Sequence, residues 1–403
     1  MELSLRQILS YLPLAGCDGD AMITAWEKRF DLPCKDRREG KEILRWIEKE
    51  IREVPLPLRS PEDSKRDDKR NHPVERILIE REARHHPRAE RILSHFPGVG
   101  VEEITHYKDV FRRSADGRQT LILAEKKGKL LYPGAPVCQD FGNRHFFYAS
   151  QIMNCIFNCE YCFLKGMYPS EAMVLFLNLE DYFEELKTLL SKHPVYLCLS
   201  YDTDLLAIEP WTAFLQEWSG FVKEQPSLSV EIRTKSAYTG LFEKEMPSDD
   251  LVFAYTLSPD VIVRTYESGT PSLLSRLAAV EKAIEKGFPV RLCFDPVLYC
   301  RDWEKIYGVF LEEVMETIDF KRVKDVSVGA FRISHQYLRQ MRKKAPHSAV
   351  AQYPYCNEGG VSCYDPALEE EISRFFIEKL TKKIGKEKIF WWKTQENCDK
   401  VDT

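Results

Sequence analysis

The chain has 403 residues, of which 44% are hydrophobic and 30% charged, with a net charge of −5 and twelve cysteines. That length allows one large domain with a smaller one beside it, and no run of 18 apolar residues offers a membrane-spanning helix. The negative balance does not mark a nucleic-acid binder, although a local basic groove on an acidic protein is compatible with it. The start MELSLRQILSYLPLAG has no basic leader, so a cytoplasmic protein with reduced or metal-bound cysteines is expected.

Residues 1–53 read as a helical extension, since LRQILSYL and KEILRWIEKEIREV space apolar residues by three and four. Residues 54–74 mix prolines with dense charge and read as a linker. A small α/β segment follows over 75–130, with RILIERE a strand, HPRAERILSHF a helix, and EEITHYKDV and TLILAEK two more strands. From 131 to 403 strands and helices alternate. The predicted strands are 146–152, 194–200, 228–234, 250–258, 289–297 and 325–332. Six such units predict a partial (β/α)6 barrel, a three-quarter version of the eight-unit barrel, with its chemistry at the carboxyl ends of the strands.

The loop after the first barrel strand reads NCIFNCEYCF and places Cys155, Cys159 and Cys162 in a C-x3-C-x2-C spacing. Three thiolates on one short loop can hold three irons of a [4Fe–4S] cluster and leave the fourth open to a small molecule. Cluster ligation ordinarily takes four cysteines, so the missing ligand points to a bound cofactor. S-adenosylmethionine, cleaved reductively at that iron, yields a 5′-deoxyadenosyl radical whose chemistry is the cofactor's own. A ring at Tyr161 is placed to pack on the adenine. A structural zinc site is the competing assignment, but no second close pair of ligands is spaced to complete it.

The other strand ends carry Cys198, Ser200, Tyr201 and Asp202, then Arg233, Thr234 and Lys235, then Thr256 and Ser258, then Asp295, and finally Arg332 and Ser334. The hydroxyls of Ser200, Thr256 and Ser258, with the Lys235 ammonium, suit the polar methionine end of S-adenosylmethionine. Cys198 is a candidate hydrogen donor, because a thiol S–H bond is weaker than an alkyl C–H bond.

Together these residues resemble the spore photoproduct lyase family, radical enzymes that reverse the methylene-bridged thymine dimer of spore DNA. The resemblance runs from about Val74 to Trp392. Its carriers are the cysteine loop, Cys198-x-Ser200, Arg-Thr-Lys ending at Lys235, and FAYTLSPDVIVRTYESGTPSLLSR over 253–276. It implies that Cys155, Cys159 and Cys162 hold the cluster and that Ser200, Lys235 and Thr256 contact S-adenosylmethionine. It further implies that Cys198 donates the hydrogen atom, with Tyr161 beside it. The expected partners are UV-damaged DNA and an electron donor such as flavodoxin or ferredoxin. Two departures stand out. Phe163 replaces a tyrosine that follows the third cluster cysteine in the family, and VAQYPYCNEGGVSCYDP (350–366) has no basic residue where the family's lesion-wedging hairpin is basic. A radical enzyme acting on another nucleotide, RNA or a peptide is the alternative, and a non-catalytic iron–sulfur protein a more distant one. The run Arg332, Arg339, Arg342, Lys343 and Lys344 is the candidate basic surface.

Overall fold

Runs such as TLILA and LVFAYT are buried at every position, as parallel strands covered on both faces require. The computed structural model describes residues 55–58, 74–111, 120–135 and 137–392. The helical region expected over 1–53 and most of the linker lie outside the described residues. In chain order the strands are β1 (Arg76–Glu80), β2 (Val101–Ile104), β3 (Thr120–Ala124), β4 (Leu131–Pro133), β5 (Phe146–Ala149) and β6 (Ile152–Met153). Next come β7 (Asn158–Cys159), β8 (Met173–Phe176), β9 (Val195–Cys198), β10 (Leu228–Thr234), β11 (Leu251–Thr256) and β12 (Glu267–Ser268). The last are β13 (Val290–Val297), β14 (Asp325–Ala330), β15 (Arg332–Ser334), β16 (Cys356–Glu358), β17 (Val361–Cys363) and β18 (Ile389–Trp391).

The large sheet has the order β18-β14-β13-β11-β10-β9-β5-β4. Its pairings are parallel from β5 to β18, and only β4 runs antiparallel, against β5. The six predicted strands are therefore adjacent and in chain order, as a partial barrel demands. Helices bridge them. Over Leu273–Glu285, Leu273, Leu277, Val280 and Ile284 form one buried stripe, Ser272 caps the start, and Gly287 at φ +84° ends the turn.

A second sheet, β2-β1-β3-β8-β6, packs beside the barrel. Its β1, β2 and β3 come from the predicted small α/β segment, while β6 and β8 come from beyond residue 130. The run MVLF was not predicted as a strand, because a short apolar run without alternation looks the same in a helix. Three other expectations shift. EEITHYKDV is a strand only to Ile104, because Glu80 accepts the Tyr107 N–H (2.8 Å) and His106 Nδ1 the Lys108 N–H (3.1 Å), which starts a helix over Tyr107–Phe111. FFYASQI breaks at Ser150, whose hydroxyl donates to the buried Asp202 (2.6 Å), so that β6 joins the other sheet. Residues 55–58, at the start of the expected linker, lie against the barrel, with Leu56 N–H donating to the Tyr299 carbonyl (2.8 Å).

Candidate active site

The cysteine loop is held at both ends. Asn154, at φ +68°, donates its side-chain amide to the carbonyls of Ser170 (2.9 Å) and Ala172 (2.7 Å). β7 then pairs antiparallel with β12, Cys159 opposite Glu267, and Glu160 N–H donates to the Tyr266 carbonyl (2.7 Å). After Cys162 a short helix, Leu164–Met167, meets the helix His335–Lys344 through Gly166, where a Cβ would stand 2.2 Å from the Tyr337 carbonyl oxygen.

Glu267 organises the side chains beneath this loop. It is fully buried and ion-paired with the fully buried Arg276, and it accepts hydrogen bonds from Tyr161 and from Ser258 (2.8 Å). Arg276 also donates to Thr270 (2.6 Å) and to the carbonyls of Thr256 (3.1 Å) and Pro271 (3.0 Å). The stretch E-S-G-T…R (267–276) is thus a buried clamp that ties the cysteine loop to the end of β11. Burial opposes ionisation of Glu267, but Arg276 and Lys235 outweigh it and bring the carboxyl to about 2.

One cavity of about 240 Å³ opens at the carboxyl ends of the strands. Cys155, Cys159, Cys162, Tyr161, Cys198, Ser200, Lys235 and Thr256 all line it. Ser258 does not: its hydroxyl is committed to Glu267, behind Tyr161. Of the other strand-end residues, Tyr201, Arg233, Thr234, Asp295, Arg332 and Ser334 also face the cavity, whereas Asp202 points into the protein, bonded to Ser150 and Tyr168 (2.8 Å). The Tyr161 hydroxyl is engaged by Glu267, and Lys235 Nζ stands 5.5 Å from the Tyr161 ring centre.

The residues present fit the cofactors the cysteine spacing implies. All three loop cysteines are free thiols, an all-sulfur donor set of the kind that iron–sulfur clusters take. Among the described residues no three His, Cys, Asp or Glu side chains are grouped to hold a single metal ion; the thiols stand around a cavity wall. Burial pushes the Cys159 thiol up to about 12, partly offset by Lys235. The hydroxyls of Ser200 and Thr203 are buried on the cavity wall with no hydrogen-bond partner among the described residues. A buried hydroxyl left unpaired calls for a ligand.

Cys198 is buried, 6% exposed. Burial and then the Glu231 charge push its thiol well above the ordinary range, so it keeps the S–H that hydrogen donation requires. Two acidic residues on the wall were missed in the sequence. Asp204 accepts from Lys235 N–H (2.6 Å), Thr234 (2.8 Å) and Ala207 N–H (3.1 Å), which locks the end of β10 to the start of the helix Leu205–Thr212. Its cap position before an apolar run was the available signal. Glu231 accepts from Tyr196 (2.7 Å) and pairs with Arg291, which also holds Asp325 (2.8 Å); no local pattern announces that network.

Much of the expected basic run is tied up in contacts of its own. Arg332 donates to both Asp295 oxygens (2.9 and 3.1 Å) and to the Val137 carbonyl (2.9 Å), and lies 4.3 Å from the Trp392 ring centre. Arg342 donates to the carbonyls of Ala351 and Tyr353 (2.8 Å each), and Lys344 to that of Tyr168. Of the expected basic run, Arg339, Lys343 and Lys344 are exposed and make no ion pair among the described residues, and of these Lys344 is held by the Tyr168 carbonyl. The stretch 350–366 does contain a hairpin, β16 and β17, turning at Gly359 and Gly360, both at positive φ.

A parallel partial barrel with three cysteines, an orphaned hydroxyl pair and a buried thiol around one cavity defines a radical S-adenosylmethionine enzyme class. The chain belongs to the spore photoproduct lyase family, whose sequence profile, described as "Spore photoproduct lyase", matches residues 75–356. The family comprises radical S-adenosylmethionine lyases that use a [4Fe–4S] cluster. The chain is 19% identical over 338 residues to the spore photoproduct lyase of Clostridium acetobutylicum, covering 78% of this chain and 97% of that one. It is 19% identical over 253 residues to that of Bacillus subtilis, covering 59% and 72%. Among solved structures it resembles spore photoproduct lyase complexed with dinucleoside spore photoproduct, with a TM-score of 0.67 at 15% identity, over 79% of this chain and 97% of the other. A mutant of that enzyme with bound AdoMet and dinucleoside spore photoproduct gives a TM-score of 0.65 at 15% identity, with the same coverage.

Proposed function

We propose that this chain is a radical S-adenosylmethionine lyase that reverses a methylene-bridged thymine dimer in DNA. The observation that carries the reading is the single cavity shared by Cys155, Cys159, Cys162, Cys198, Ser200 and Lys235. Cys155, Cys159 and Cys162 would hold the [4Fe–4S] cluster, and Ser200, Thr256 and Lys235 would receive the polar end of S-adenosylmethionine, with Ser258 acting at one remove through Glu267. When bound, the pair supplies a primary carbon radical able to take hydrogen from the lesion. Cys198 would return a hydrogen atom to the fragmented product, its S–H preserved by burial. Tyr161, hydrogen-bonded to Glu267, would shape the wall between Lys235 and the cysteine loop. A solved relative is complexed with dinucleoside spore photoproduct, which supports the lesion as substrate; within a duplex that lesion would have to be flipped out to reach the cavity.

A small reducing protein such as flavodoxin or ferredoxin would deliver the electron, in the cytoplasm. No helix among the described residues is long and apolar enough to cross a membrane. The hairpin over 356–363 favours a second reading, the same chemistry on another nucleotide, RNA or a peptide, because its one charged residue is Glu358. Anaerobically reconstituted protein incubated with S-adenosylmethionine, reductant and dinucleoside spore photoproduct decides between them. Release of paired thymidines supports the lyase; cleavage of S-adenosylmethionine with the dimer untouched would point to the other substrates.

A further inference from the structure

Beside Cys198 three arginines share the acids of the barrel interior, and one of them is left over. Glu231, Arg233 and Lys235 follow one another on one face of β10 and just past its end, and all three line the cavity. Glu231 stands in register opposite Cys198 across the β9–β10 pair. It accepts from Tyr196 (2.7 Å) and from Arg291. Asp295 accepts both arms of the Arg332 fork (2.9 and 3.1 Å). Arg233 reaches the same two acids, with Nε 3.4 Å from Glu231 and Nη1 3.6 Å from Asp295, but neither contact is a hydrogen bond. Its Nε is buried with no hydrogen-bond partner among the described residues.

An arginine kept only to neutralise an acid would fork onto it, as Arg332 forks onto Asp295, because the planar guanidinium matches a carboxylate. Arg233 does not. Its charge is balanced by Glu231 and Asp295, while its N–H donors stay unspent on a side chain that is 29% exposed at the cavity wall. That combination selects a ligand. A phosphate or carboxylate brought to Arg233 would face Glu231 and Asp295 at close range, and like charges there repel. A neutral group with acceptor oxygens meets no such repulsion and takes up the free donors. The ring carbonyls of thymine are acceptors of that kind.

We infer, on the lesion reading above, that Arg233 is a substrate-binding residue that donates to a ring carbonyl of one of the linked thymines. The hydrogen bond would hold that base beside Cys198, whose cross-strand neighbour Glu231 stands 3.4 Å from Arg233. Glu231 and Asp295 act at one remove. Each is fixed by its own arginine and in turn keeps the Arg233 guanidinium charged and in place.

The test is a titration of the reconstituted full chain with dinucleoside spore photoproduct, in the presence of S-adenosylmethionine and without reductant. Arg233→Met should weaken binding by roughly tenfold to a hundredfold, the loss of a charge-assisted hydrogen bond, with the cluster spectrum intact. Arg233→Lys keeps a charge beside the two acids but not the fork, and should fall between parent and Arg233→Met. The decisive arm uses lesions with sulfur, a weak acceptor, in place of a ring carbonyl oxygen at C2 or at C4. One of these should bind the parent several-fold more weakly, and that loss should vanish in Arg233→Met. Parent-like affinity in Arg233→Met overturns the inference. So does a sulfur effect that is the same in parent and variant, which would leave Arg233 a structural ion pair. A variant that loses only the affinity added by a bridging phosphate, on comparing dinucleotide with dinucleoside, would place an anion there and overturn it too. Failure of the parent itself to bind the dinucleoside overturns the lesion reading, and the role of Arg233 with it.

Discussion

On the cavity wall that holds the cysteine loop, the buried hydroxyls of Ser200 and Thr203 have no hydrogen-bond partner among the described residues, and Lys235 stands over Tyr161 with no acceptor for its ammonium among them. In the expected basic run Arg332, on the cavity wall, is engaged by Asp295 and the Val137 carbonyl, and Arg342, outside the cavity lining, by the carbonyls of Ala351 and Tyr353. Both regions are rich in polar groups, yet one is left open to ligands while the other is closed on itself. Charge counted along a sequence therefore overstates the basic surface available to DNA. Unsatisfied polar atoms are the better guide to where a ligand binds.

The comparison makes demands that can be broken. The largest effect is expected in the open region: Cys159→Ala should lose the cluster's iron and sulfide and all cleavage of S-adenosylmethionine, because each of the three thiolates is needed. Full iron content with normal cleavage in that variant would falsify the cluster assignment. Next is the clamp below the loop. Arg276→Ala leaves Glu267 charged, buried and unpaired, a change expected to lower stability by about 3–5 kcal/mol; urea unfolding that moves by less than about 1 kcal/mol would mean that water or a neighbouring group replaces the arginine.

Lys235→Ala should leave the cluster spectrum intact and weaken S-adenosylmethionine binding by roughly tenfold to a hundredfold, the loss of a charge-assisted hydrogen bond. Unchanged affinity by titration would place the cofactor's carboxylate elsewhere on the wall. The smallest effects belong to the basic run. Arg339→Ala and Lys343→Ala, at exposed and unpaired positions, should change stability by no more than about 0.5 kcal/mol. If both touch DNA phosphates, each should lower the slope of log affinity against log salt by about 0.9. Arg342→Ala should instead destabilise the fold without a specific change in that slope.

Much of the fold was legible. The six barrel strands carry apolar runs between amphipathic helices, and parallel pairing in chain order follows from that alternation. Strands β6, β8 and β18 were not legible, because each is short and gains its stability from a neighbour distant in sequence. Most of the site was legible as well, since a barrel brings the residues at its strand ends together wherever they fall in the chain. Ser258 shows the limit. It lies two residues beyond Thr256 at the same strand end, yet its hydroxyl is drawn to Glu267 by an acceptor that only the fold puts there.

Local pattern and spacing thus specify the class of chemistry here, because three thiols on one loop and hydroxyls at strand ends are local facts. Which of those groups are free to act is decided by tertiary contacts. Arg276 closes on Glu267, Arg332 on Asp295 and Arg342 on the Ala351 and Tyr353 carbonyls across separations of 9 to 37 residues, while the hydroxyls of Ser200 and Thr203 have no partner among the described residues. A buried polar group must find a partner or hold a ligand, and that choice depends on what the fold brings within hydrogen-bonding distance.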